Sequence, residues 1–595
     1  MEATVVPESI TAAPPRPLPK PPFVPPRDDG GYPIANITRM RAGPWSLTFT
    51  ARVLFQCGRA DCAETCGTLC YAATYPQRAE QALRGIIHGV DIGYTGDRST
   101  ARSSRNLKSA LELPHVSAMI DEIIRADVTN GTKAGPFDTP PSGDAFSFSP
   151  IGAVPKGGSW EKIRVIHHLS YPFGGDSINN SISDDILQLG RFDHACDAIR
   201  RLGRGCFLIK LDVEAAYKQV PVKRADRALL GLQWRGKFYY ELALPFGLKS
   251  SGARWELFAA ALHWFFEHLL GITLVIHYVD DFLFVVPNSI IGAQQLAAAL
   301  ELCSKLGVPM ADKKTEGPTT SLTFLGIELD TIAMTARLSV ARLAELKALL
   351  QSWMGRTTCK LVEMQSLVGK LQFACQVVRP GRAYTRRLIG QCTTMAAEPR
   401  QGQQHDLTRE ARADIKWWRR FIEEWNGISL LYEVEWTQAT KLHLSTDACG
   451  TGYGAAFGNE WVQGNWSKSV LTRATRASAL SMPYLELRAL VIAALAWGER
   501  WGGKKIIFEC DCQPVVYATR TMSSKNSDIQ GLLRLLSATA AKHGFDFRTV
   551  HIAGVTNIVA DALSRGCSRQ ELLAVLPGAA DKATPFKRIP EAREL

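Results

Sequence analysis

The stretch TLVIHYVDDFLFVV, residues 273–286, constrains this chain more than any other, because two adjacent carboxylates interrupt two strongly β-forming apolar runs. Such runs read as buried strands, which puts Asp280 and Asp281 at a hairpin turn. An isolated Asp-Asp pair is ordinarily an exposed turn. Flanks this apolar instead make the turn project from a sheet in a large domain, where unneutralised carboxylates are costly and a divalent cation removes the cost. No transmembrane helix is expected, since Glu267, Asp280 and Asp281 break the most apolar stretch of the chain.

A second carboxylate strand lies upstream in CFLIKLDVEAAYKQVPV, where Asp212 ends the apolar run. Two such strands side by side bring Asp212 to Asp280 and Asp281. Three convergent carboxylates are what two Mg²⁺ ions about 3.5–4 Å apart need for in-line phosphoryl transfer, with Mn²⁺ as a substitute.

A length of 595 residues is enough for roughly three to five domains. Residues 1–35 form a proline-rich leader, extended and mobile or an SH3-type ligand, and 36–135 a mixed, partly helical region containing the amphipathic SAMIDEIIRADV. Residues 136–336 alternate strands and helices, an α+β pattern, and 337–396 and 397–440 are helical. In this part Leu361, Met364, Val368, Leu371, Cys375 and Val378 make one buried stripe. Residues 441–566 read as a separate α/β domain, and 567–595 as a tail opening with a short helix capped by Ser568 and Glu571.

LDVEAAY, LPFGLKSSGARWE, YVDD and FLGIEL follow one another in the order and spacing of the palm motifs of reverse transcriptases, and SPIGAVPKGGSWEKIRVIHHLSYPFGGDSINNSI resembles their fingers. The combination GPF…PP…SPIGAVPK…RVIHHLSYP is most similar to DIRS-like and Ngaro-like retrotransposons, the tyrosine-recombinase class. The resemblance runs from about residue 85 to 566. It implies a multidomain α+β and α/β protein: a right-hand polymerase with fingers and palm at 136–336, thumb at 337–396 and connection at 397–440, followed by an RNase H-like domain.

By that resemblance, Asp212, Asp280 and Asp281 are the metal-binding aspartates and Val213 offers a backbone carbonyl to the metal. Tyr217 matches the aromatic steric gate that excludes a ribose 2′-hydroxyl. Lys156 and Arg164 fall where fingers-domain bases hold the triphosphate, suited to a point charge and a bidentate fork respectively. Lys314 matches the lysine near the leaving pyrophosphate, with Lys313 as runner-up. Phe246 and Gly247 match the loop that packs on the incoming nucleotide. The retroviral pattern has an amide side chain at the position of Phe246, which leaves polar contacts to the sugar open there. Phe324 to Leu329 resemble the hairpin that grips the primer, and read equally as a plain buried strand.

In the last domain Asp447 ends KLHLSTD, Glu486 sits in a helix start, Asp511 closes KKIIFECD and Asp561 lies on IVADALSRG. Carboxylates on four successive elements can form a two-metal hydrolytic site. TDACGTGYGAAF, YLELRAL, FECDCQPVV and HIAGVTNIVADALSR together resemble the RNase H domains of retroelements, with these four residues as metal ligands. His551 matches a mobile family histidine that assists product release or proton transfer, although a lone histidine is as readily structural. Asn557 is the candidate for contacts to 2′-hydroxyls across the minor groove of a hybrid.

The expected activity is RNA- and DNA-directed DNA synthesis with ribonuclease H activity. The expected partners are an RNA template, a DNA primer, RNA–DNA hybrid and dNTPs. Two alternatives stand beside this: a catalytically inactive or host-adopted nucleic-acid-binding protein retaining the fold, and a relative of cellular reverse transcriptases of introns or telomeres, which do not ordinarily carry this nuclease. Asp-Ser/Thr-Gly, a retroviral zinc knuckle and room for a recombinase are missing from the sequence, so a recombinase and other element proteins are expected to be supplied separately.

Fourteen irregularly spaced cysteines and the lack of a signal peptide point to an intracellular location, cytoplasm or nucleus. Cys57, Cys62, Cys66 and Cys70 contain no C-x-x-C pair and are read as small buried residues on helix faces rather than a zinc site. Trp417 and Trp418, at helical spacing beside Phe421 and Trp425, are read as core between thumb and nuclease rather than as base-stacking groups. The formal charge is +12, and residues 337–425 carry 16 Lys+Arg against 8 Asp+Glu, so +8 of it falls between the two expected active sites. RPGRAYTRR, Arg379 to Arg387, is the densest part, expected to bind the duplex backbone in a salt-sensitive way.

Overall fold

The computed structural model describes residues 75–586, apart from short segments at 100–104, 142–145, 157–158, 186, 188, 398–402, 425–427, 431–435, 438 and 477–478. The proline-rich leader, the Cys57, Cys62, Cys66 and Cys70 cluster and Trp425 lie outside the described residues.

In the first half of the chain the elements run α1 (Tyr75–His88), α2 (Pro114–Thr129), β1 (Lys133–Phe137), β2 (Ile151–Lys156), β3 (Ser159–His167), α3 (Phe192–Leu202), β4 (Phe207–Asp212), β5 (Gly231–Trp234) and β6 (Lys237–Glu241). They continue with α4 (Ser251–His268), β7 (Val275–Tyr278), β8 (Asp281–Val286), α5 (Ser289–Leu306), β9 (Glu316–Thr319), β10 (Ser321–Phe324), β11 (Ile327–Asp330) and β12 (Thr335–Leu338). β7, β8, β4 and β9 form one sheet in that order, with β4 and β8 antiparallel.

Period-2 alternation divides the central strands between two cores. Ile209, Leu211, Phe282, Phe284 and Val286 pack with α4 and α5. Leu208, Leu283 and Val285 belong to a second core with α3 and the helices that follow β12. Both faces are covered, which is why the strands flanking Asp280 and Asp281 are apolar almost throughout. α5 is stopped at both ends by its own residues: the Asn288 side chain accepts from the Ile291 N–H at 2.9 Å, and Gly307 turns left-handed at φ +77°.

The boundary expected at residue 135 is not a structural one. Ala82 and Ile86 of α1 share the core of α4, and Val116, Ile120 and Ile124 of α2 pack on Ile151, Ala153, Leu232 and Trp234. The helices α1 and α2 thus share cores with elements that follow residue 135. The reason is that α2 buries its apolar stripe against strands far along the chain, a pairing that amphipathicity alone does not announce.

A helical region follows: α6 (Val340–Trp353), α7 (Leu361–Ala374), α8 (Gly381–Ala397) and α9 (Arg409–Glu424). Met364, Val368, Leu371, Cys375 and Val378 are buried in it, as the spacing predicts, while Leu361 is only partly so. Trp418 is fully buried, and Trp417 stacks on Tyr384 and Phe421. β13 (Ile428–Leu430) returns to pair with β12, so the connection completes the β10–β11–β12 sheet.

The C-terminal domain comprises β14 (Leu444–Ala448), β15 (Gly452–Phe457), β16 (Glu460–Asn465), α10 (Met482–Trp497), β17 (Lys505–Cys510), α11 (Gln513–Thr521), α12 (Ser527–His543), β18 (Asp546–His551), α13 (Ile558–Ser564) and α14 (Arg569–Val575). β14–β16 are antiparallel, β17 and β18 parallel, and β14 lies against β17. The expected Ser568–Glu571 capping box is formed at α14. The segment after 566 is not merely a tail, because Leu572 and Ala579 pack on Ala456 and Leu563, and the Trp461 indole donates to the Ala580 carbonyl at 2.8 Å. The domain therefore extends to at least residue 580.

Candidate active sites

Asp212 and Asp281 are direct cross-strand partners in the β4–β8 pair, so their side chains share one face of the sheet. Asp280 occupies the turn before β8, and its carbonyl accepts the Val213 N–H at 3.0 Å. Like charges facing across a ladder repel. Burial first, and then Asp280 and Asp212, push the Asp281 carboxyl up to about 6, and burial with Asp212 raises Asp280 in the same direction.

The turn itself is strained: Val279 is β-branched yet has φ +58°, and the Trp255 indole donates to its carbonyl at 2.7 Å. Lys314 Nζ lies 2.8 Å from both oxygens of Asp212. Lys313 stands beside it in the same short 3₁₀ turn, exposed. The donor set is all carboxylate oxygen and unfavourably charged, which fits a hard divalent cation.

The nucleotide-side residues form a second group. Arg164 sits over the Phe246 ring at 4.7 Å, and Phe246 meets the Tyr217 ring at 5.2 Å. Lys156 ends β2 on the same hairpin as Arg164, both exposed. Gly247 has φ +108°, and a Cβ there would lie 2.0 Å from the His167 carbonyl oxygen, so the loop admits only glycine. Val213 is buried beside Asp212. The Phe324–Leu329 segment is a hairpin with Leu325 and Gly326 both at positive φ, the two-residue type I′ geometry, and its Phe324 and Leu329 side chains are buried.

In the C-terminal domain Glu486, Cys510 and Asp511 have ligand atoms within 4.8 Å of one another. Burial, then Asp447 and Asp511, push Glu486 up to about 9, and burial, then Asp511 and Asp561, push Asp447 up to about 6. A cluster in which Glu486 and Asp447 are held up by burial and by neighbouring carboxylates again suits a divalent cation. Asp561 pairs with Arg565 one turn away at 2.8 Å. His551 is exposed at the end of β18, its Nε2 3.2 Å from the Asp511 carbonyl, at the rim of the cluster.

The candidate for hybrid contacts, Asn557, is turned inward. It is buried, and its amide donates to the Thr446 carbonyl at 2.8 Å, tying α13 to β14. The basic run is likewise only partly available to a duplex: Arg379 is ion-paired to Asp546, and Arg387 lies 3.6 Å from Asp414. Cys510 escaped the sequence reading because it shares the apolar strand face of Ile506 and Phe508 and looks like core. Among the described residues no helix is long and apolar enough to cross a membrane.

Together the fold and the paired aspartates define a palm-type polymerase domain. Residues 162–329 match the family of the reverse transcriptase (RNA-dependent DNA polymerase), and this segment is a reverse transcriptase domain. Polyprotein P3 of Commelina yellow mottle virus is 23% identical over 385 residues, covering 62% of this chain, and the chain spans 18% of that polyprotein. Two solved structures are similar over 84% of the chain. A foamy viral protease-reverse transcriptase with double-stranded DNA is 14% identical over 81% of its own length, with TM-score 0.46. The foamy viral protease-reverse transcriptase with RNA/DNA hybrid is 13% identical over 62% of its length, with TM-score 0.45.

Proposed function

We propose that the chain is an RNA- and DNA-directed DNA polymerase with ribonuclease H activity, which copies a retroelement RNA into DNA and degrades RNA in the hybrid. The observation that carries the reading is the in-register opposition of Asp212 and Asp281, with Asp280 beside them, inside a reverse transcriptase domain. RNA template, DNA primer, hybrid and dNTPs are its partners, within the cell. The motif set of the fingers favours a DIRS-like element as its source.

Asp212, Asp280 and Asp281 would hold Mg²⁺ or Mn²⁺ in the palm, and Asp447, Glu486, Asp511 and Asp561 would hold it in the nuclease. When bound, these ions lower the pKa of an attacking hydroxyl or water and neutralise the leaving phosphate. The chain's own groups do the remainder. Arg164 and Lys156 face the triphosphate, Tyr217 closes the space of a 2′-hydroxyl, and Phe246 packs on the nucleotide. Lys314 holds Asp212 and carries a proton toward the pyrophosphate. His551 stands at the rim of the nuclease cluster, placed to move a proton or help product leave.

Primer extension on an RNA template with Mg²⁺ or Mn²⁺ tests the first activity. Extension by wild type and its loss in Asp280→Asn are expected, whereas no wild-type extension with any primer or metal sinks the claim and leaves an inactive nucleic-acid-binding protein. Labelled RNA in a hybrid should be cut by wild type and by Asp280→Asn but not by Asp447→Asn.

A further inference from the structure

Five ionisable side chains that neither reaction uses gather beneath the nucleotide group, three of them buried and Lys218 and Asp127 partly so. Lys133 is 4% exposed, Glu241 3% and His167 2%. Lys133 Nζ is ion-paired to Glu241 and lies 3.8 Å from Asp127 Oδ2. Lys218 Nζ spans the same two carboxylates, 3.0 Å from Glu241 Oε2 and 3.2 Å from Asp127 Oδ2. His167 closes the group: its Nε2–H donates to the Gly231 carbonyl at 3.0 Å, and Nδ1 faces Glu241 Oε1 at 3.9 Å. Burial keeps His167 neutral, so two ammonium groups balance two carboxylates.

A buried ion network is a poor source of stability, because the desolvation of each charge offsets most of the attraction, and apolar replacements are often as stable. Its value lies in fixing one arrangement. Here it joins the three segments that carry the nucleotide-side residues. Lys218 directly follows Tyr217 in one 3₁₀ turn. Glu241 ends β6, five residues before Phe246. His167 ends β3, three residues after Arg164, and its N–H donates to the Phe246 carbonyl at 2.8 Å. The segments are thus clamped twice, by the Arg164–Phe246–Tyr217 stack on one side and by the charge cluster on the other.

We infer that Asp127, Lys133, Lys218 and Glu241 form a positioning network that shapes the deoxynucleotide pocket and, through Tyr217, sets how strongly ribonucleotides are refused. This deepens, and rests on, the polymerase reading above.

Glu241→Gln in the full chain leaves two ammonium groups facing one carboxylate. It should raise KM for dNTPs and narrow the dNTP-over-rNTP preference about tenfold each, with kcat changed by less than about threefold. Cutting of hybrid should stay at the wild-type rate. Lys133→Met combined with Glu241→Gln removes one charge of each sign and should restore most of the preference. Independently of activity, amide exchange in Glu241→Gln should quicken together in residues 164–167, 217–220 and 242–247.

A Glu241→Gln protein that cuts hybrid normally yet keeps both its preference and its amide protection would overturn the inference. Should wild type extend no primer, the polymerase reading fails alone, and the exchange comparison decides the network: joint deprotection supports it and unchanged protection overturns it. If Glu241→Gln does not fold, Lys218→Met carries the same readouts.

Discussion

Arg534 Nη2 lies 2.7 Å from Asp414 Oδ1, with the two side chains 1% and 0% exposed. The pair joins α12 of the C-terminal domain to α9 of the helical region. The Arg534 guanidinium also sits 4.3 Å from the Tyr384 ring, which itself stacks on Trp417. Arg379 with Asp546 makes a second ionic link between the domains. Removing Arg534 leaves the buried Asp414 with only the longer, 3.6 Å contact of Arg387, so Arg534→Met should destabilise the chain by up to about 3 kcal/mol. Calorimetry should show the melting of the two domains moving apart, and an unshifted, single transition in the variant would exclude this pair as the coupling element.

Gly247→Ala is expected to disrupt the loop over the nucleotide group rather than the whole fold. Its Cβ would meet the His167 carbonyl at 2.0 Å, at a φ of +108°. The strain is about 1–3 kcal/mol, enough to displace Phe246 from Arg164 and Tyr217. Extension should fall about five- to a hundredfold by the arithmetic of about 1.4 kcal/mol per decade, while hybrid cleavage continues. Equal loss of both activities would point to global unfolding instead.

Asp447 gives a pH-dependent stability with a definite sign. Its carboxyl is raised to about 6 from an ordinary 3.8, so between those values the folded chain binds the extra proton and loses stability as pH rises. Above about pH 6 the penalty is complete. Metal-free Asp447→Asn should accordingly be more stable than metal-free wild type at pH 8, by about 1–2 kcal/mol after allowance for solvent screening. The difference should vanish near pH 4, and Mg²⁺ should raise the melting temperature of wild type more than that of the variant. Thermal melts at the two pH values, with EDTA or Mg²⁺, check each arm; a variant less stable than wild type at pH 8 in EDTA contradicts the account.

Lys314→Met separates catalysis from folding. Its ammonium is 52% exposed but holds both oxygens of the 5% exposed Asp212, so removing it should cost about 1–3 kcal/mol of metal-free stability, which a bound divalent cation would offset. A group that moves a proton in the transition state contributes about 10²–10⁴ in rate. With Mg²⁺ present, melting should stay nearly constant in both variants, while single-turnover extension drops by about a hundredfold in Lys314→Met and not in Lys313→Met. A Lys313 variant as impaired as the Lys314 variant would reverse the assignment.

Much of the fold was legible because its cues are local. The apolar runs around Asp212, Asp280 and Asp281 are strands, the three-four spacing through Met364 and Leu371 is a buried helix face, and Ser568 with Glu571 caps a helix. The motif position of Asn557 does not reveal that the Thr446 carbonyl lies within reach of its amide. The Arg379–Arg387 run reads as a phosphate track because charge density is visible in a sequence, whereas the acidic partners of Arg379 and Arg387 are not. Domain limits are illegible for a similar reason: the apolar residues of α1, α2 and α14 are meaningful only against the sheets and helices they cover.

The sequence by itself determined which segments become strands and helices, the order of the motifs, and the carboxylates that end or begin each strand, because backbone periodicity and turn chemistry act over a few residues. Only the tertiary structure decided that Asp212 faces Asp281, that Lys133 meets Glu241 across 108 positions, and that Arg534 closes on Asp414. Those relationships depend on through-space electrostatics inside a desolvated interior, where a charge must find its partner from whichever distant segment the packing brings beside it.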